Sequence, residues 1–135
     1  MPLIELEREQ LYCIYYDSEE SWLHTDWTGY QTVDSVQRGC ERMLVLMVEH
    51  KAFRVLNDNT NVIGMWSGGA EWGASSWFPR MKQAGLQAFA WVYSPSRFSQ
   101  ISTDATLSQM DAAATGIEVF YDIAAAQEWL RAQRR

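Results

Sequence analysis

Between Val33 and Val48 the apolar residues Val33, Val36, Cys40, Met43, Leu44, Met47 and Val48 recur at helical spacing, while Asp34, Gln37, Arg38, Glu41, Arg42 and Glu49 occupy the other side. This predicts an amphipathic helix over about Gln31–Lys51. A helix with one apolar stripe is stable only against another layer, so the flanking segments must provide that layer. They read as strands. Leu11–Tyr16 is rich in β-formers and is followed by the polar turn Asp17-Ser18-Glu19-Glu20 and by Ser21–Trp27, which together predict a hairpin. After the helix, Phe53–Asn57 predicts a short strand ended by Asp58-Asn59-Thr60-Asn61, whose side chains compete for backbone hydrogen bonds and favour a turn.

The rest of the chain alternates in the same way. A helical face runs through Ala70, Ala74, Trp77, Met81 and Ala84, with Pro79 expected to kink or divide it and Gly85 to stop it in a left-handed cap. Leu86–Tyr93 predicts a strand covered on both faces. Ser94-Pro95-Ser96 breaks the chain before a weaker helical pattern on Ile101, Ala105, Leu107 and Met110, reaching about Ala114. Ile117–Tyr121 predicts the last strand, and Asp122 caps a helix with its face on Ile123, Ala126, Trp129 and Leu130. The expected order is β-β-α-β-α-β-α-β-α: an α/β fold with a four- or five-stranded mixed sheet and about four helices, in one domain spanning 1–135.

Composition narrows the function classes. With 135 residues, 47% of them hydrophobic and a net charge of -6, the chain suits a globular domain and lacks the positive surface that nucleic acid or anionic lipid would select. The longest apolar run, Met43–Val48, falls far short of the roughly 20 residues that span a bilayer. Two cysteines, Cys13 and Cys40, and no basic leader before an apolar core at Met1–Glu7 give a reduced, cytoplasmic setting as the expectation.

This order, with Trp27-Thr28-Gly29 before the first helix, Val55-Leu56-Asn57-Asp58 ending a strand, Ala84-Gly85-Leu86 entering the next and Ala124–Leu130 in the last helix, resembles the STAS superfamily. That is the fold of sporulation anti-sigma-factor antagonists and of the cytoplasmic domains of sulfate transporters. The chain is more closely similar to the bacterial STAS-like proteins grouped with the CRAL-TRIO lipid-transfer domains. The resemblance implies a regulatory, protein-binding module. In the antagonist branch a serine within a segment resembling Asp-Ser-Ser-Gly is phosphorylated; the corresponding segment here is Trp66-Ser67-Gly68-Gly69. Trp66 takes the aspartate place and Gly68 that of the phosphorylated serine, so no phosphoserine switch is expected, and Ser67 reads as a helix cap.

Enzyme chemistry has few candidates. His24 and His50 stand apart, without metal-ligand spacing or a Cys-x-x-Cys pair, so no metal or cofactor is implied. His24 could meet Asp26 or Asp17 but reads as a surface or packing residue. Asp58 ends a strand, as a phosphoacceptor would, yet the acidic pair and lysine of such a site are missing, and Asp58 and Asn59 read as turn residues. Gly64, Gly68, Gly69 and Gly73 are followed by no Gly-Lys-Ser/Thr, which argues against a phosphate cradle.

The anomaly is tryptophan. Of seven, Trp66, Trp72, Trp77 and Trp91 fall in or beside one helix and its neighbouring strand. Trp77, Trp91 and Trp129 are expected in the core. Trp72 falls on the helical face opposite Ala70, Ala74, Trp77 and Met81, so something else must cover it. The first expectation is a non-enzymatic module binding a protein partner or a second copy of itself through Trp66, Ser67, Gly68, Gly69 and Trp72. The second is a carrier or sensor of a small apolar ligand, with Trp66, Trp72, Phe89 and Trp91 lining a cavity beneath the glycine-rich loop. An enclosed volume among these rings favours the second; a flat exposed patch favours the first.

Overall fold

The computed structural model describes residues 2–110 and 116–133. Six strands form one mixed sheet whose order in space follows the order in sequence. β1 (Leu3–Arg8), β2 (Tyr12–Asp17) and β3 (Trp22–Tyr30) make an antiparallel meander, and β4 (Arg54–Ile63), β5 (Ala88–Val92) and β6 (Ile117–Phe120) add to it in parallel. Parallel neighbours need crossovers, and helices supply them. α1 (Val33–His50) joins β3 to β4. The next crossover is one irregular helix: a 3-10 turn (Ser67–Gly69), α2 (Ala70–Trp72), a π-helical turn (Gly73–Trp77) and α3 (Phe78–Gln83). α4 (Arg97–Ser108) joins β5 to β6, and α5 (Ile123–Ala132) follows. Counting the irregular stretch as one, this is an α/β fold of six strands and four helices.

The sheet has one more strand than the four or five expected, because β1 carries little strand signal. Its charges at Glu5, Glu7 and Arg8 and a bulge between Glu5 and Glu7 blur the alternation, and only Leu6 packs on the main core. The same features guard an exposed edge against further pairing.

Alternation sorts the sheet residues onto two faces. Ile14, Leu23, Val55 and Phe89 pack with Cys40, Met43 and Met47 of α1 and Met81 of α3. Trp22, Leu56, Ala88, Ala90 and Val92 pack with Ala126 and Leu130 of α5. β5 is buried at all five positions, as a strand covered on both faces should be.

α1 begins where a capping box sets it: the Ser35 N–H donates to Thr32 Oγ1 at 3.0 Å and the Thr32 N–H to Ser35 Oγ at 2.9 Å. Lys51, at φ 53°, ends it. Its buried face is turned slightly from the expected one. Leu46 is buried, Leu44 is half-buried, and Val33 and Val48 are exposed. The reason is Gly39: a Cβ there would overlap the Trp27 ring, so α1 approaches β3 most closely at this glycine and the contact side centres on it.

Three other expectations are corrected. β4 does not stop at Asn57 but runs through Asp58–Asn61, because the polar side chains of that run are bonded within the structure and leave the backbone free to pair with β3. Asp58 and Asn59 are therefore buried strand residues, not turn residues. In α4 the buried positions are Ser99, Ser102, Thr103 and Thr106, while Ile101 is exposed and Leu107 and Met110 are half-buried against the main core. The expected continuation toward Ala114 lies outside the described residues. Pro79 does divide its helix: a proline ring opposes the carbonyl four residues back, and just before it the helix loosens into the π turn, where the Phe78 N–H reaches Gly73 O. Gly85, at φ +117°, terminates α3. Asp122 caps α5, accepting the Ala125 N–H at 2.8 Å. Cys13 and Cys40 are free, buried thiols.

Met43 is fully buried at the centre of this packing, whereas Leu44 lies at its margin. Met43→Ala should cost about 2–5 kcal/mol in urea unfolding, and Leu44→Ala clearly less; equal costs would contradict the observed rotation of α1.

Candidate functional site: an aromatic cleft

On the α1 face, β4 places Asn57 and Asn59, and β5 places Phe89 and Trp91, on one surface, with Asn57 directly opposite Trp91 in the ladder. Trp27 of β3 adjoins them, its indole N–H donating to Asn57 Oδ1 at 2.8 Å. The Asn57 amide in turn donates to Asn59 Oδ1 at 3.4 Å. Above this floor, α1 brings Val36 and Cys40, and the irregular helix brings Gly69, Trp72, Gly73, Trp77 and Phe78. Together they enclose a narrow cavity of about 40 Å³ that opens toward solvent, room for on the order of three waters. None of the side chains lining it is charged.

The rings interlock. Phe78 and Phe89 meet edge to face with centroids 5.0 Å apart, Trp77 meets Phe89 at 5.8 Å, and Phe89 meets Trp91 at 5.6 Å. Trp77 is anchored through its N–H to Cys40 O at 2.7 Å. Trp66 stacks on Trp91 at 5.9 Å with planes 25° apart. Its loop is tied to α4, since the Trp66 backbone N–H donates to Ser102 Oγ at 2.9 Å and its indole N–H to Ser99 Oγ at 3.1 Å. These bonds engage two of the four buried hydroxyls of α4; Thr106 Oγ1 donates to Ser102 O, and Thr103 Oγ1 has no partner among the described residues.

Trp66, Gly69, Trp72, Phe89 and Trp91 all line this cleft. Gly68 does not; it is exposed, and with Gly69 it lets the 3-10 turn press on Val33 and Val36 of α1, where a Cβ at Gly68 would come within 2.8 Å of Val33 Cγ2. Ser67 opens that turn, and its side chain, with the expected capping role, lies outside the described residues. Trp72 is half-buried and shares the cleft with Trp77 instead of facing away from it. The π turn is the cause, because residues five apart align there. Outside the cleft, the Arg80 guanidinium lies 5.8 Å from the Trp72 ring centre and pairs with both Glu41 oxygens, which holds the Glu41 carboxyl below the usual range.

Trp27, Asn57 and Asn59 escaped sequence reasoning. Trp27 and Asn57 are legible as strand residues, but Asn59 lies in a run that composition assigns to a turn. Cys40 offers no nucleophile, since burial, then the nearby Glu41 charge, push its thiol far above the normal range.

The opposite face of β3 and β4 carries a second polar group. His24, read from sequence as a surface or packing residue, is mostly buried, with Nε2 3.5 Å from Asp58 Oδ2 rather than at Asp26 or Asp17. Burial raises the Asp58 carboxyl, but the His24 imidazole beside it and bonds from the Thr60 hydroxyl and N–H outweigh it and hold Asp58 below its ordinary value. Asp26, beside it in the ladder, is raised, by burial and by the Asp58 charge, against a hydrogen bond from Asn61. Among the described residues no three of His, Cys, Asp and Glu converge as metal ligands, and no helix is long and apolar enough to cross a membrane.

The signs follow from linkage. Asp58, lowered in the fold, stabilises above the unfolded-state carboxylate range, and that stability is lost as pH falls through its folded value. Asp26, raised, favours folding at low pH and opposes it once ionised. Asp26→Asn should therefore raise the melting temperature at pH 7 and leave it nearly unchanged at pH 3; a drop at pH 7 would contradict this pairing.

No family model, no curated protein and no solved structure matches the chain.

Proposed function

We propose that this chain is a non-enzymatic STAS-like module that carries or senses a small apolar ligand in the aromatic cleft. The observation that carries this reading is the inward turn of the rings: Trp66, Trp72, Phe89 and Trp91 surround a cavity rather than forming a flat exposed patch. A mostly apolar concavity with a few polar groups fixing orientation is the usual make-up of a small-molecule site. The buried, protonated Cys40 thiol and the lack of charged lining residues speak for binding rather than turnover.

A cavity of about 40 Å³ is narrower than a ligand the size of one aromatic ring. Entry therefore requires a wall ring to move: Trp66 is held by two serine hydroxyls and one stacking contact, and the half-buried Trp72 by the Arg80 guanidinium 5.8 Å from its ring centre. Partner docking through Trp66, Ser67, Gly68 and Trp72 is the competing reading.

Tryptophan fluorescence and thermal shift, read against a panel of benzene- to naphthalene-sized molecules and a long-chain fatty acid, decide between them. Small aromatics should bind, and a ligand at about 100 times its Kd should add about 2.7 kcal/mol of stability. If no panel member shifts either signal, while Trp72→Ala weakens self-association in ultracentrifugation, the docking reading replaces this one.

A further inference from the structure

Three of the cleft indoles have hydrogen-bond acceptors: Trp27 on Asn57, Trp77 on Cys40 O and Trp66 on Ser99. Trp91 has none. Its ring is 5% exposed and lines the cleft, yet its Nε1–H is buried without a partner among the described residues. A buried indole N–H almost always finds an acceptor, and leaving one unmade is costly. Among the described residues, of the buried polar side-chain atoms left unbonded only this one belongs to a cleft residue. Directly opposite in the ladder stands Asn57, whose oxygen is engaged by Trp27. Two residues further along lies Asn59, whose oxygen receives the Asn57 amide. Each of these two oxygens thus already accepts a bond, and the Trp91 N–H is the buried donor left over. With no lysine, arginine or histidine among the lining residues, nothing there would neutralise an anion.

Resting on the cleft as a ligand site, we infer that its ligand is an uncharged, flat ring compound bearing a hydrogen-bond acceptor, such as an aryl ketone, and that the acceptor is held by the Trp91 indole N–H. Ring faces on Trp66, Phe89 and Trp91 take the aromatic body, and the donor sets its orientation. A carboxylate is rejected because its charge would be buried unpaired.

The test compares three probes of one shape: acetophenone, its hydrocarbon analogue α-methylstyrene, and benzoate. In calorimetric titration acetophenone should bind about five- to tenfold tighter than α-methylstyrene, the range one neutral hydrogen bond supplies, and benzoate should bind weakest. In Trp91→Phe, which keeps a ring and removes the N–H, the affinity ratio between the two neutral probes should fall to about one, whatever the change in the affinity they share. Independently, the Trp91 indole proton of the unaltered protein should move downfield in NMR on adding acetophenone but not α-methylstyrene. Equal binding of the neutral probes to the unaltered protein, or a preference that survives Trp91→Phe, overturns this inference while leaving the cleft a ligand site. Binding of none of the three overturns both.

Discussion

The Trp27 indole N–H and the Asn57 side-chain oxygen meet at 2.8 Å where each residue is 5% exposed, so neither group has water to fall back on. An unmet buried donor or acceptor costs about 1–3 kcal/mol, which ties β3 and β4 together on the helix-covered face and keeps an asparagine inside a central strand. Asn57 then supports Asn59, and on the other face Asp58 is met by His24 and Thr60. With these partners in place the backbone of 57–61 continues as strand, and β4 becomes long enough to form the floor of the cleft.

What lies above that floor depends on two backbone devices. Gly39 lets α1 settle on the Trp27 ring, which places Val36 and Cys40 over the asparagines. The π turn before Pro79 brings Trp72 and Trp77 to one side, giving the cleft two indoles where a regular helix would give it one. π turns of this kind recur at functional sites because they redirect side chains at the expense of regular bonding. α4 contributes hydroxyls instead of an apolar stripe, and two of them tether the Trp66 loop. The consequence is a cleft bounded by indoles from β3, β5, the Trp66 loop and the irregular helix.

Much of this was legible in the sequence. Strands and helices whose apolar periodicity is regular, such as α1 and β5, stand where the residues predict, and the group Trp66, Gly69, Trp72, Phe89 and Trp91 does converge. Legibility failed where tertiary partners overrode local preference. Asp58-Asn59-Thr60-Asn61 reads as a turn in isolation, since nothing in the local sequence announces that Trp27 and His24 will satisfy it. The α4 face misread for a similar reason: Ile101 looks like core, but the serines are buried because Trp66, more than 30 residues away, needs acceptors. The direction of Trp72 depended on the π turn, which no periodicity shows.

The dependence of the cleft floor on the Trp27–Asn57 bond is most directly measured by a double-mutant cycle with Trp27→Phe and Asn57→Ala in urea unfolding. Each single change leaves one partner of this bond unmet, whereas the double change removes both; the loss of the Asn57 amide from Asn59 is common to both Asn57→Ala backgrounds and cancels in the cycle. The double mutant should therefore be more stable than the sum of the single losses predicts, by about 1–2 kcal/mol. Additivity within about 0.3 kcal/mol would show that the two side chains do not depend on each other, and would contradict the placement of Asn57 in the cleft floor.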